Sequence, residues 1–262
     1  MKKYTLLLIF ALAAILRLWQ LGQVPPSLYW DEASLGYNAY SILKTARDEH
    51  GQFLPVTNFA AFGDYKPPGY IYLTAPSISI FGLNEFAIRF PSAFFGLLTV
   101  IVTYLLTKKL LKNESIAQLS AFFLAISPWH LQLSRVAFEA NVALFFSLFG
   151  IYSFIKFAFG SRLWLAYSAA SFLVALYTFT GQRLFVPLIL ILLAIQFRKE
   201  ILKNLTLVLV VAVISAILIW PMLKFSTQTI EGKLRFNEVT IFKDLKPIND
   251  SIVYREEDDF KT

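Results

Sequence analysis

The chain has 262 residues, of which 57% are hydrophobic and 16% are charged, a balance more apolar than that of soluble domains. The formal net charge of +7 would suggest a nucleic-acid partner in a soluble chain, but here the basic residues separate long apolar runs, which indicates a membrane protein. The sequence has no cysteine, which excludes disulfides, zinc-thiolate sites and thiol nucleophiles, and its two histidines are too few for a histidine-rich metal centre. Acid–base chemistry would therefore depend mainly on carboxylates, lysines or tyrosines.

Seven apolar stretches are candidates for membrane-spanning helices, which need roughly 20 residues each. They lie near Tyr4–Leu21, Phe90–Thr107, Ser115–Ser127, Asn141–Phe159, Leu163–Thr180, Leu184–Phe197 and Leu205–Pro221. The third and sixth are short and are expected to reach into the interface or to span a thinner bilayer. We interpret the first stretch as a retained helix and not a signal peptide, because Arg17 and Trp19 interrupt its end and no small-residue cleavage pattern follows.

The basic residues predict the orientation of these helices, because Lys and Arg in short loops prefer the cytoplasm. With the N-terminus inside, the two short outer turns carry only Arg135 and Arg183. The inner ends and turns carry Lys2, Lys3, Lys108, Lys109, Lys112, Lys156, Arg162, Arg198, Lys199 and Lys203. We therefore expect a multi-pass cell-membrane protein. Residues 1–221 form its transmembrane domain, with a long outer loop at about residues 22–89, and residues 222–262 form an outer tail.

This topology restricts the possible functions. The inner loops are too short for a nucleotide-binding domain, and neither G-x-G-x-x-G nor G-x-x-x-x-G-K-[ST] occurs. A group-transfer enzyme with its sizeable segments outside needs a membrane-borne donor, and a lipid-linked substrate fits that requirement. A transporter is less favoured, because no internal repeat is found and charged side chains such as Arg17 lie at helix ends, where they can reach the interface.

The first outer loop begins with two adjacent carboxylates, Asp31 and Glu32. The segment Ala33–Lys44 is predicted to form an amphipathic helix, which places both acids in its first turn. Simple helix capping explains such a pair. The flanking Tyr29 and Trp30 favour a functional site instead, because these aromatic residues are typical of headgroup depth.

A second candidate segment in this loop is Asp64-Tyr65-Lys66-Pro67-Pro68. The two prolines restrict the backbone after Lys66, so the lysine stands on a rigid corner. Its position suits either an anchor that snorkels to the interface or a ligand for a lipid phosphate.

The two short outer turns hold the remaining candidates. Arg135 and Glu139 are four residues apart, which suits a helical ion pair, but a carboxylate at the membrane boundary is costly and is therefore also a functional candidate. Arg183 lies in a turn too short to escape the orientation rule, so we expect it to have a partner. A phosphate and one of the carboxylates Asp31, Asp64 or Glu139 are equally suitable partners.

Four segments, taken in order, resemble a known family. They are Tyr29-Trp30-Asp31-Glu32, Asp64-Tyr65-Lys66-Pro67-Pro68, Phe86-Ala87-Ile88-Arg89-Phe90-Pro91-Ser92 and Ser127-Pro128-Trp129-His130. The set is similar to the dolichyl-phosphate-mannose protein mannosyltransferase and aminoarabinose transferase superfamily, which are family 39-type glycosyltransferases of the GT-C fold. The resemblance covers nearly the whole chain. It implies an all-α polytopic membrane protein, a GT-C-like helix bundle of about seven spans with a large helical first outer loop.

The resemblance also implies an activity. A mannosyltransferase-like enzyme of protein glycosylation would transfer a sugar from a polyprenyl-phosphate-linked donor to an acceptor hydroxyl on the outer face, with inversion. By similarity, Asp31 is the general base and Glu32 its catalytic partner, while Lys66 binds the donor phosphate. The two arginines of the outer turns, Arg183 and Arg135, are further phosphate ligands.

Asp64 and Glu139 are second acidic candidates, for binding the acceptor or a metal ion. No cofactor is expected to be required, because the leaving phosphate is already an anion that basic residues can stabilise. A divalent ion near the four carboxylates is also considered, although they form no ligand-spaced motif.

Family members generally continue into further helices, so the resemblance implies the N-terminal portion of a transferase, with a partner subunit as one source of the missing helices. The alternative is a non-catalytic or truncated membrane module that binds a polyprenyl-phosphate lipid or a partner subunit. The sequence leaves open the sugar and whether the acceptor is protein, lipid or glycan.

Overall fold

The structure, a computed structural model, describes residues 2–229, with side chains from Tyr4 onward. Most of the predicted outer tail, residues 230–262, lies outside the described residues. The helices are α1 Lys2–Leu18, α2 Trp30–Thr45, α3 Gly69–Phe81, α4 Glu85–Leu111, α5 Glu114–Ile126, α6 Pro128–Ser134, α7 Glu139–Ala158, α8 Trp164–Thr178, α9 Gln182–Gln196, α10 Arg198–Lys203 and α11 Leu205–Gln228. Two short antiparallel strands, β1 Phe59–Ala61 and β2 Asp64–Lys66, form a hairpin.

Seven helices coincide with the seven predicted spans. In the described part of the chain, α4, α7 and α11 are long and apolar enough to cross a membrane by length and composition, while α1, α5, α8 and α9 contain shorter apolar stretches. The prediction that the last span ends at Pro221 is wrong, because α11 continues through this proline to Gln228. Proline removes one helical hydrogen bond and bends the helix, which neighbouring contacts can tolerate. Residues 222–228, assigned to the outer tail from the sequence, therefore belong to α11.

The long loop at about residues 22–89, predicted to lie outside, is a helical layer, as expected. Its first helix, α2, begins at Trp30, three residues before the predicted Ala33, and packs with α3 on the start of α4. Leu35, Tyr70 and Ile88 are buried in this contact. Gly36 permits the close approach, because a Cβ atom there would lie 2.7 Å from Cγ1 of Ile88. Burial of these apolar side chains fixes this helical layer on the membrane helices.

The membrane helices meet through small and polar residues. Asn141 on α7 donates to the Ser92 carbonyl of α4 at 2.9 Å, and Ser168 on α8 donates to the Gly150 carbonyl of α7 at 2.9 Å. Between helices surrounded by lipid, such residues allow close backbone approach and supply hydrogen bonds that hydrocarbon cannot.

Arg17 is buried in the bundle, which corrects the expectation that it reaches the interface. Its side chain has no exposed surface. One terminal nitrogen, Nη1, donates to the carbonyls of Ala13 and Ala125 at 3.1 Å each, and the other lies 2.7 Å from Nδ1 of His130. Because a guanidinium has only donors, Nδ1 of His130 must accept. Arg17 thus joins the end of α1 to α5 and α6.

Candidate active site

The candidate site begins in the first turn of α2, where Asp31 and Glu32 both lie, as predicted. Carboxylates are favoured there by the partial positive charge of a helix N-terminus. Glu32 also caps this helix, since its Oε2 accepts from the Tyr29 backbone N–H at 3.3 Å. The two acids nevertheless have different surroundings.

Glu32 forms a closed cluster with Arg89 of α4, in which both side chains are almost completely buried. Arg89 Nε donates to Oε1 at 2.9 Å and Nη2 donates to Oε2 at 3.0 Å, a bidentate ion pair. The backbone N–H of Ala137 donates to the same Oε1 at 2.7 Å. Glu32 therefore ties α2 to α4 and to the segment before α7.

Arg89 is the residue of this region to which the sequence analysis gave no role. It donates to the carbonyls of Leu21 at 3.2 Å, Pro25 at 2.7 Å and Ser27 at 2.7 Å, which fixes the chain between α1 and α2. The sequence signal for a buried, paired role of Arg89 is its position as a lone arginine at the start of an apolar span, because a charge there needs a partner. The catalytic role of Glu32 stays a prediction, and its contacts favour positioning the turn that carries Asp31.

Lys66 forms the centre of an open cluster with Asp31 and Asp64. Its Nζ lies 3.1 Å from Asp31 Oδ1 and 3.0 Å from Asp64 Oδ2. The side chains of Lys66, Asp31 and Asp64 are 12%, 29% and 23% exposed, so the cluster is open to the surface. The structure thus brings together the two segments that the sequence analysis selected in the outer loop.

The β hairpin places Lys66 in this cluster. The hairpin turns at Phe62 and Gly63, whose φ angles of 51° and 79° are both positive. Two positive φ angles match the right-handed twist of the strands, and glycine adopts the second without strain. Lys66 ends β2, and Pro67 and Pro68 lead directly into α3. A Cβ atom at Gly69 would lie 2.8 Å from Thr178 Cα, so this corner is packed against the C-terminal end of α8.

Glu139, at the start of α7, is the third carboxylate near Lys66. It is 7% exposed and acts on Lys66 through its charge. Burial alone would lower the pKa of Lys66, but Glu139, Asp64 and Asp31 together hold the pKa above its ordinary value. Two carboxylates in contact and the charge of a third thus keep the Lys66 ammonium protonated.

Tyr29 lies within the same field. Its hydroxyl donates to the Ala137 carbonyl at 3.4 Å. Burial, followed by the charges of Glu139, Asp31 and Glu32, raises its pKa. Tyr29 is therefore a neutral hydrogen-bonding group in this site.

Arg183, at the start of α9, lies against the C-terminal end of α11. Its Nη1 donates to Ser226 Oγ at 2.9 Å, while its Nε is buried with no hydrogen-bond partner among the described residues. The preceding residue, Phe225, contacts the ring of Tyr65, the neighbour of Lys66, with 6.4 Å between ring centroids. The part of α11 beyond Pro221 therefore links Arg183 to the Lys66 hairpin, which the sequence analysis missed by ending this helix early.

Arg135 does not pair with Glu139, so the predicted helical ion pair is not formed. Its guanidinium donates to the carbonyls of Leu16 at 2.8 Å, Trp19 at 2.9 Å and Val24 at 2.9 Å. These carbonyls lie in the last turn of α1 and in the segment that follows it, where helical acceptors lack partners. The contacts favour a structural role, and binding of donor phosphate by Arg135 stays a prediction.

Among the side chains that the structure describes, no group of three or more His, Asp or Glu residues is arranged to hold a metal ion. Of the four carboxylates considered, Glu32 belongs to the closed cluster, Asp31 and Asp64 belong to the open cluster, and Glu139 forms no ion pair with either cluster in the described part of the chain. The divalent ion considered from the sequence stays a prediction.

Comparison with known proteins gives one family and one fold. The model of the family described as dolichyl-phosphate-mannose-protein mannosyltransferase matches residues 7–228. A protein of Aquifex aeolicus (strain VF5), described as uncharacterized, is 28% identical over 208 residues, which are 78% of this chain and 40% of that protein.

Two crystal structures of ArnT from Cupriavidus metallidurans share the fold. The apo state matches with a TM-score of 0.66 and 16% identity, over 90% of this chain and 43% of ArnT. The state bound to undecaprenyl phosphate matches with a TM-score of 0.61 and 17% identity, over 92% of this chain and 44% of ArnT. These matches confirm the predicted GT-C-like membrane helix bundle. The chain spans less than half the length of these matched proteins.

Proposed function

The chain belongs to the dolichyl-phosphate-mannose-protein mannosyltransferase family, and we propose that it serves in transferring a sugar from a polyprenyl-phosphate-linked donor to an acceptor hydroxyl at the outer face of a cell membrane. The observation that carries this proposal is the open cluster, in which Lys66 lies between Asp31 and Asp64 near the membrane helices. The match to ArnT bound to undecaprenyl phosphate supports a polyprenyl phosphate as the lipid.

In this reaction the acceptor oxygen attacks the anomeric carbon on the side opposite the phosphate. The new glycosidic bond forms as the bond between the anomeric carbon and the phosphate oxygen breaks, so the configuration inverts. Asp31 accepts the proton of the acceptor hydroxyl late in this step. The polyprenyl phosphate leaves as an anion and needs no general acid, only positive charge.

Lys66 and Arg183 supply that charge. Lys66 alone faces three carboxylates, so the region carries an excess of negative charge that opposes an incoming phosphate. Arg183 is linked to the Lys66 hairpin through α11 and has a buried Nε–H free of described partners, which suits a phosphate oxygen. With Arg183 as a second cation, the carboxylates repel the incoming phosphate less than they would with Lys66 alone.

Donor binding also prepares the base in this proposal. A phosphate oxygen that contacts Lys66 competes with the carboxylates that now occupy its Nζ. When it displaces Asp31, that carboxylate is released to accept a proton from the acceptor. Asp64 keeps its contact and holds Lys66 in place. The acceptor, whether protein, lipid or glycan, then approaches from the exposed side of Asp31.

The test compares the chain with Asp31→Asn and Asp64→Asn at matched expression, in membranes supplied with a panel of radiolabelled polyprenyl-phosphate sugars. We expect Asp31→Asn to bind the donor but to transfer sugar about 10²- to 10⁴-fold more slowly, the usual contribution of general-base catalysis. Asp64→Asn is the matched control, because it also removes one carboxylate from Lys66, and it should retain more transfer.

Equal transfer by Asp31→Asn and the unmodified chain would show that Asp31 is not the base. Donor binding without transfer by any of the three proteins would favour the alternative, a non-catalytic module that binds polyprenyl phosphate or needs a partner subunit. If none of them binds any donor of the panel, the proposal is wrong.

A further inference from the structure

A groove lies at the opposite end of the bundle, between the starts of α8 and α11. Its volume is about 710 Å³, and its lining includes Arg162, Leu163, Lys203, Thr206 and Val210. The cations Arg162 and Lys203 are both exposed. The lining contains no acidic residue, and neither cation forms a salt bridge within the described part of the chain.

The two helices at this groove run parallel and in register. The Tyr177 hydroxyl of α8 donates to the Leu218 carbonyl of α11 at 2.7 Å. Each of these residues lies thirteen positions after the first residue of its helix, Trp164 for α8 and Leu205 for α11. Their N-termini therefore lie side by side, and neither has a side-chain cap. Parallel neighbours add the positive ends of their dipoles, whereas antiparallel neighbours oppose them.

The groove also has an apolar part. Leu207, Val210 and Val211 continue the lining along α11, away from the two cations. The arrangement of positive charge at the helix starts and hydrocarbon along the helix matches the arrangement in a phospholipid, whose phosphate is at one end of its acyl chains. A soluble anion would use only the basic part.

We propose that this groove binds an anionic phospholipid of the adjoining leaflet. Its phosphate lies between Arg162 and Lys203 at the two helix starts, and an acyl chain lies along Val210 and Val211. Orientation by the basic residues makes this the cytoplasmic leaflet. The site is separate from the open cluster, because α8 alone separates the two ends by about 22 Å at 1.5 Å per residue. It does not depend on the proposed glycosyltransferase activity.

The test measures lipid binding by the full chain with native mass spectrometry, after reconstitution with phosphatidylglycerol or phosphatidylcholine. We expect retention of phosphatidylglycerol in preference to phosphatidylcholine. In the double variant Arg162→Gln/Lys203→Gln, affinity for phosphatidylglycerol should fall about 10- to 30-fold, because each cation near a lipid headgroup contributes about fivefold. The matched control is Arg198→Gln/Lys199→Gln, which removes two charges from the neighbouring α10 outside the groove lining and should retain the preference.

A second variant separates lipid binding from folding. Thr206→Asp adds a carboxylate to the first turn of α11, where negative charge stabilises a helix, yet it repels a phosphate. It should preserve or raise thermal stability while lowering phosphatidylglycerol retention.

Equal losses of phosphatidylglycerol affinity in the two double variants would mean that binding depends on overall surface charge and not on the groove, which would overturn the proposal. Displacement of the lipid by inorganic phosphate would overturn it in favour of a soluble-anion site. Equal retention of phosphatidylcholine, or full retention by Thr206→Asp, would also contradict it.

Discussion

Asp31 and Glu32 are neighbours in the chain, yet one belongs to the open cluster around Lys66 and the other to the closed cluster with Arg89. Successive residues of an α-helix point about 100° apart, so one carboxylate of the first turn faces α4 while the next faces the hairpin. The closed cluster has its donors and acceptors paired by protein groups, whereas the open cluster remains partly exposed. A single turn of α2 therefore supplies both a buried ion pair and a partly exposed carboxylate of the candidate site.

The pair of Arg17 and His130 is a second closed contact. Both side chains are buried, and Arg17 also donates to three carbonyls in α1 and α5. Closed contacts should therefore govern stability, and the open cluster should govern ligand binding. Four predictions follow this division, from the largest expected effect to the smallest.

The largest effect is expected for Arg89→Ala. This change leaves Glu32 buried without its cation and frees three carbonyls, so the free energy of unfolding should fall by about 3–5 kcal/mol. Thermal unfolding in detergent, followed by circular dichroism, measures the loss. Lys66→Met in the open cluster is the control and should cost about 1 kcal/mol, because its partners remain partly solvated. Similar losses of unfolding free energy in the two variants would contradict the view that the closed contacts, and not the open cluster, govern stability.

The next effect concerns His130 at acid pH. Burial, and then the charge of Arg17, lowers the pKa of His130 from 6.5 to about 4. The unfolded chain therefore binds a proton between these pH values and the folded chain does not, so stability falls as pH falls from 6.5 to about 4. The loss should reach about 3 kcal/mol relative to His130→Asn, which keeps an acceptor for Arg17 but does not titrate. Parallel stability curves of the two proteins over this range would show that His130 is not the cause.

Lys66→Met should weaken binding of a polyprenyl phosphate by about 10- to 100-fold, the usual contribution of a hydrogen bond to a charged group. Lys66→Arg keeps the charge and should lose less. The measurement is a binding isotherm with undecaprenyl phosphate at constant ionic strength. Unchanged affinity in Lys66→Met would remove Lys66 from the donor site and leave the open cluster with a structural role.

The smallest effect is an alkaline change in stability. The pKa of Lys66 is raised above 10.5, so its contribution to stability is complete below that pH and is lost as pH rises through the folded value. Above pH 10.5, the thermal unfolding temperature of the unmodified chain should therefore fall more steeply with pH than that of Lys66→Met. Between pH 7 and 10.5, where the carboxylates stay ionised, the difference in stability between the two proteins should stay constant. A difference that changes between pH 7 and 9 would mean that another group titrates in the cluster.

Much of the fold was predictable because membrane spans depend on local hydropathy. Each span needs only its own apolar residues, and its length is set by the bilayer. The acidic start of α2 was predictable for a similar reason, since Asp31 and Glu32 lie at a helix N-terminus regardless of what packs on it. The end of α11 was not, because Pro221 is a strong local stop signal, yet the helix continues past it to Gln228, and Phe225 and Ser226 then contact the hairpin and Arg183.

The partners of the charged residues could not be predicted in the same way. Arg135 was assigned to Glu139 or to a phosphate, but it binds carbonyls at the end of α1, more than a hundred residues away in the chain. Arg17 was expected to extend to the interface, but the packing of α5 and α6 on α1 covers it. A guanidinium can bind any suitably placed carbonyl, and the sequence does not show which carbonyls are near.

The sequence by itself determined the positions of the seven apolar helices among the described residues, the acidic first turn of α2 and the rigid corner after Lys66, because each depends on residues close together in the chain. The tertiary structure alone decided that Asp31 meets Lys66 while Glu32 meets Arg89. Arg89 lies 57 residues after Glu32. Such pairings depend on how α2, α4 and the hairpin pack together, because a buried charge takes the partner that the fold places within hydrogen-bond distance.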